Sequence, residues 1–148
     1  MGQALPAGRY RGIACFGCFA SYVAEVVEIT MENDQPRVQR VVAAVDCGQV
    51  VSPTILEQQI QGGIVYALAN ALRAKITIEK GRVVQGNFDD YAPLRMEEMP
   101  TVEVYAIASQ EPPTGIGEPP VPPLAPALSN AIYAASKKRI RSLPILNS

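Results

Sequence analysis

Residues 113–128 read PTGIGEPPVPPLAPAL, and no other stretch restricts the chain so sharply. Proline fixes φ and lacks a backbone N–H, so this segment cannot run through a sheet centre or a helix interior. It has to be a stiff connector between regular elements. Gly115 and Gly117 allow positive φ or close backbone approach. Glu118 stands directly before Pro119, which biases it out of the α region into an extended conformation. Pro119 and Pro120 then fix the exit. A carboxylate mounted in this way has little backbone entropy left to lose, which suits a preorganised catalytic group. The other reading is a rigid turn that leads into a helix, with Glu118 as a solvated cap.

The flanking sequence supplies the regular elements. From Tyr10 to about Thr30 the chain is β-branched and aromatic, with alternation at Tyr22, Ala24 and Val26, and reads as a strand. MENDQP is a polar turn, and RVQRVVAAVD is a second strand that pairs with the first. CGQVVSP breaks the pattern at Gly48 and Pro53. A helix is expected from about Thr54 to Ala74, entered through a Thr54–Glu57 capping box or through Ser52-Pro53. Its buried stripe is Leu56, Ile60, Ile64, Leu68 and Leu72. KITIEKGRVVQGNF is a hairpin turning at residues 79–81, DDYAPLRMEEMP a polar connection, and TVEVYAIA a strand. After the proline connector, Leu124, Ala127, Leu128, Ala131, Ile132 and Ala135 mark a second amphipathic helix that ends in KKRIR, basic residues that suit a helix C-terminus. The order is roughly ββ-α-βββ-α, an α+β fold with two main helices on a mixed or antiparallel sheet. A flexible arm is expected at residues 1–9 and a single domain at 10–148.

Composition removes several function classes. With 148 residues the chain suffices for one ordinary domain. A formal net charge of −1 gives no reason to expect nucleic acid as a partner. No apolar run is long enough to span a bilayer. The opening MGQALPAGRYRG lacks the apolar core of a secretory signal, which leaves cytoplasmic and bacterial periplasmic placement both open. Histidine is absent, so Ser-His-Asp and Cys-His catalysis and His-containing zinc sites cannot be built from this chain. No metal ligand is expected from it. Cys15 and Cys18 have CxxC spacing, but they lie in sequence that reads as strand rather than opening a helix. A small redox protein stays open beside the reading of strand cysteines as small hydrophobes.

Gly62 and Gly63 interrupt the first helix, each costing about 1 kcal/mol against alanine. With Gln59 they share one helical face. Such a bare patch suits close approach by a neighbouring element or by a planar polar cofactor that meets the Gln59 amide.

Four blocks, AVDCGQVVSP, EQQIQGGIVYAL, NFDDYAPLRM and GIGEPPVPPLAPALSNAIYAAS, stand in the order found near the C-terminal end of molybdopterin-binding large subunits. From Gly8 to Leu146 the chain resembles the xanthine dehydrogenase and aldehyde oxidase family, and especially bacterial isoquinoline 1-oxidoreductase-like and aldehyde dehydrogenase-like β subunits. The resemblance implies hydroxylation of an aldehyde or N-heterocycle with water as oxygen source. It implies a molybdopterin cofactor, the cytosine dinucleotide form among the candidates, held mostly by polypeptide outside this chain. Glu118 is implied as the general base, favoured by a dry, proline-rich setting. Gln59, Gly62, Gly63 and Gly117 are implied as cofactor-binding. The remainder of the subunit and an iron–sulfur subunit are implied as partners, without which the chain is expected to be inactive. Asp89, Asp90 and Tyr91 are candidates for a substrate entrance or for a solvated connection. A non-catalytic module presenting EPPVPPLAP as a polyproline ligand is a further reading.

Overall fold

The computed structural model describes residues 4–147. The first residues of the expected arm lie outside that range, and regular structure already begins at Arg9. Three antiparallel strands form a meander: β1 (Arg9–Cys18), β2 (Ser21–Glu32) and β3 (Gln35–Asp46). Helix α1 (Pro53–Leu72) follows, then a hairpin of β4 (Ile78–Glu79) and β5 (Arg82–Val83). Strand β6 (Thr101–Ala106) joins β3 in parallel, and α2 (Leu124–Ser136) is followed only by a short 3-10 turn, Ile145–Asn147, among the described residues. The main sheet has the order β1-β2-β3-β6, so the class is α+β with a mainly antiparallel sheet, as expected.

The N-terminal half departs from expectation in one respect. The single strand foreseen between Tyr10 and Thr30 is two strands joined by a two-residue turn. Phe19 and Ala20 both hold positive φ, 52° and 58°, the backbone that a tight hairpin needs and that asparagine or glycine usually supplies. Asn33 and Asp34 take the same conformation at the β2–β3 turn, with φ of 52° and 62°. There the polar residues announce it. At Phe19-Ala20 nothing does.

Helix α1 begins as the Ser52-Pro53 alternative has it, with proline in the first turn; the Thr54–Glu57 capping box does not form. All five stripe residues from Leu56 to Leu72 are buried, and with Val41, Ala43 and Val45 of β3 they belong to one core. Helix α2 adds Leu124, Ala127, Leu128, Ala131 and Ile132. It lies so close on β1 that a Cβ on Gly12 would stand 2.1 Å from the Ala127 carbonyl oxygen. The helix stops at Ser136 and Lys137 takes the left-handed conformation, so KKRIR lies beyond the helix and not in its last turn as expected. The Arg139 guanidinium stacks on the Tyr133 ring at 3.6 Å instead.

Candidate functional site

The segment from Glu111 to Pro120 is tied down along its length. The Gln49 N–H donates to the Glu111 carbonyl at 2.9 Å, and the Thr114 N–H donates to the Cys47 carbonyl at 2.9 Å. Ser21, at the start of β2, donates its hydroxyl to the Gly115 carbonyl at 2.6 Å. Its single proton is thereby used, so the Thr114 hydroxyl, 2.7 Å away, donates to Ser21. Gly48 makes this seam possible. Its φ is +71°, and a Cβ there would sit 2.1 Å from the Pro112 carbonyl oxygen.

Pro119 and Pro120 are buried. The Pro120 ring rests on α1 at Gly63, where a Cβ would stand 2.5 Å from the proline Cγ. Glu118 itself is exposed, and its carbonyl accepts from the Val121 N–H at 2.9 Å. Two buried prolines and a turn therefore fix the backbone on both sides of a free carboxylate. The stiff mount is present. The dry setting is not: the prolines turn inward to the core and leave the carboxylate at the surface, so its desolvation cannot come from this loop.

Glu118 faces an open cleft of about 570 Å³ between the proline loop and α1. The loop contributes Gly117, Glu118, Val121 and Pro122. Helix α1 contributes Gln59, Gly62, Gly63 and Tyr66, together with Gln58. All five residues singled out in the sequence thus line one cleft. Their parts differ. Gly63 is required by packing, because Pro120 fills the space above it. Gly62 is not, because a Cβ there would meet nothing within 4 Å. A mid-helix glycine that its own fold does not require is a bare patch open to another molecule. Gln59 approaches Gly117, where a Cβ would lie 3.6 Å from its Oε1. The carboxamide thereby separates this cleft from a neighbouring one of about 440 Å³ lined by Val51, Ile55 and Ile116. Tyr66, Ser21 and Gly48 were not singled out in the sequence. Only Gly48 carried a local signal, as a break in the strand pattern.

This donor set suits a flat polar ring system. Gln59 offers an acceptor and two donors, Gly62 leaves the backbone bare, and Glu118 faces them. No group of three or more His, Cys, Asp or Glu side chains that could hold a metal occurs among the described residues.

The other candidates lie elsewhere. Asp90 accepts from the Gly86 N–H at 3.0 Å, and Tyr91 donates to Asn70 at 3.3 Å. Asp89 and Asp90 belong to a solvated 3-10 turn and do not line the Glu118 cleft. Cys15 and Cys18 sit on the same strand, an odd number of residues apart, so they point to opposite faces. Cys47 is buried; burial pushes its thiol up, and the adjacent Asp46 charge adds to this. Pro119, Pro120 and Pro123 are buried, so the loop does not present a polyproline ligand.

A family model described as molybdopterin cofactor-binding domain matches residues 6–100. Isoquinoline 1-oxidoreductase subunit beta of Brevundimonas diminuta is 32% identical over 140 residues, covering 93% of this chain and 18% of that protein. A membrane-bound aldehyde dehydrogenase (pyrroloquinoline-quinone) of Gluconacetobacter polyoxogenes is 32% identical over 146 residues, covering 98% and 18%. At 98% coverage that similarity takes in the proline loop, which the family match does not reach. The crystal structure of quinoline 2-oxidoreductase from Pseudomonas putida 86 superposes with a TM-score of 0.72 at 26% identity, covering 84% of this chain and 17% of that one. The chain thus spans 18% of the length of the first two relatives.

Proposed function

Because this chain belongs to the family of molybdopterin cofactor-binding domains, we propose that it is the part of a molybdenum hydroxylase that carries the general base. The base is Glu118, and the substrate is an aldehyde or an N-heterocycle. The observation that carries this reading is the sharing of one cleft by Glu118, Gln59 and the bare backbone of Gly62. Names among its relatives point to the same substrate classes: isoquinoline, quinoline and aldehyde.

When bound, the molybdenum cofactor supplies the oxidising metal, with water as the source of oxygen. The residues of this chain bind, orient and move a proton. The Glu118 carboxylate takes a proton from the attacking water-derived hydroxyl, and its mount keeps it aimed without an entropic cost at the moment of reaction. Gln59, with an acceptor and two donors on its amide, would hold the polar edge of the cofactor, and the bare backbone of Gly62 would leave it room. Gly117 shapes the turn that carries the base, and Gly63 seats Pro120 beneath it. The remainder of the molybdopterin-binding subunit encloses the carboxylate and supplies the dryness that this loop does not. An iron–sulfur subunit takes the electrons onward. Without these partners the chain is inactive.

The test is Glu118→Gln in the assembled enzyme. Turnover is expected to fall by about 10²- to 10⁴-fold, the usual worth of a general base, with molybdenum content unchanged. Near-normal turnover removes the assignment.

A further inference from the structure

We propose that Tyr66 is a cofactor-contacting residue, the aromatic end of a clasp on α1. The Gln59 carboxamide forms its other end and the bare backbone of Gly62 its floor. This rests on reading the Glu118 cleft as part of a molybdopterin site.

Periodicity brings the three together. Tyr66 stands two helical turns after Gln59 and one turn after Gly62, so they share one face of α1. Two turns span about 10 Å along the axis, enough for a fused ring system to lie between the amide and the phenol. Among the described residues, nothing comes within 4 Å of a Cβ placed on Gly62, midway along that span.

Tyr66 stands open on this face. It is 62% exposed and lines the cleft. Among the described residues its hydroxyl meets no hydrogen-bond partner, as is also true of Tyr10 and Tyr22, whereas Tyr91 and Tyr105 donate to Asn70 and Glu103. What sets Tyr66 apart is its place on the wall of the Glu118 cleft. A large exposed ring on the wall of a concave site, beside a glycine that its helix does not need, is a surface for stacking. The ligand it fits is flat and aromatic, with a hydrogen-bonding edge that turns toward Gln59. A pterin has both features.

The experiment follows retention of the cofactor rather than turnover. The assembled enzyme would be purified as parent, Tyr66→Ala, Tyr66→Phe and Gly62→Val. Each would be assayed for molybdenum by elemental analysis and for pterin by fluorescence of its oxidised form, during prolonged dilution. Tyr66→Ala is expected to release pterin about three- to tenfold faster than the parent, the range of one aromatic contact. Tyr66→Phe keeps the ring and is expected to match the parent. Gly62→Val fills the floor and is expected to lose pterin with its melting temperature intact. Release unchanged in Tyr66→Ala overturns the proposal. So does unchanged release with a raised KM, which would make Tyr66 a wall for substrate instead. A parent that holds no pterin at all overturns the wider reading as well, so the two failures are separable.

Discussion

At the middle of β2, Glu25 is fully buried, and neither carboxylate oxygen finds a hydrogen-bond partner. Across the strands it faces Ala14 of β1 and Ala43 of β3, so no charge stands opposite it. Burial pushes its carboxyl from 4.5 up to about 8. Between those values the folded protein keeps a proton that the unfolded chain has released. The folded state then binds more protons, so stability falls as pH rises through the window, by at most about 1.4 kcal/mol per pH unit. The contribution is fully present below the unfolded value and gone above the folded one. Glu25→Gln is neutral throughout, so urea unfolding should show it more stable than the parent at pH 9 and without that slope from pH 5 to 8. The same slope in both proteins would mean that Glu25 is solvated in solution. The sequence concealed this residue because β2 carries apolar side chains on both faces. Alternation at Tyr22, Ala24 and Val26 is real, yet that set points outward, while Val23, Glu25 and Val27 point into the core. A period of two reveals that there are two faces, not which one is covered.

Among the elements, three glycines separate what the fold demands from what a ligand demands. Gly12 lets α2 lie on β1 with backbone nearly touching backbone, and a Cβ would stand 2.3 Å from the Ala131 nitrogen. Backbone cannot step aside as a flexible side chain can, so Gly12→Ala should cost about 1–3 kcal/mol through forced separation of the two elements. Gly63→Ala meets the rigid Pro120 ring and should likewise destabilise. Gly62→Ala meets nothing, and alanine is the better helix former, so the isolated chain should gain up to about 1 kcal/mol. Thermal or urea unfolding of the three variants checks the order. A loss at Gly62 would contradict the open floor on which the cofactor reading relies. Sequence pattern alone marked Gly62 and Gly63 as a pair, because both break helix propensity equally. Only the position of Pro120, which comes from a loop more than fifty residues later, divides them. The same limit hid the β1–β2 turn, where tertiary context holds Phe19 and Ala20 in a backbone that their side chains do not favour. Strong helical periodicity, by contrast, placed α1 almost to its ends and α2 at its start, although α2 stops at Ser136, short of the KKRIR end expected for it.

For the molecule as a whole, the described residues cover the main sheet on one side only. Helix α2 lies on the face that carries Gly12, and the core built with α1 lies on that side too. Register puts Ile13, Val26 and Val42 in one row across the opposite face, and Cys15, Ala24, Ala44 and Tyr105 in the next. One end of this face is closed by charge. Glu28 is buried beneath Arg11 at 2.7 Å and Arg40 at 3.0 Å, and Arg40 also reaches Glu103 at 2.7 Å. The other end is apolar and open, with Ile13 at 61%, Tyr22 at 65% and Tyr105 at 58% exposure. Composition could not show this, because the same residues would read as core if a second layer covered them. An apolar sheet face of this extent associates with whatever apolar surface it meets. The isolated chain should therefore self-associate at micromolar concentration, seen as a rising sedimentation coefficient on concentration. Ile13→Lys with Tyr22→Lys places two charges on the patch without touching the buried side, so the double variant should sediment as a monomer with an unchanged melting temperature. A parent that stays monomeric over the same range would mean that the arginine–glutamate row already keeps this face soluble.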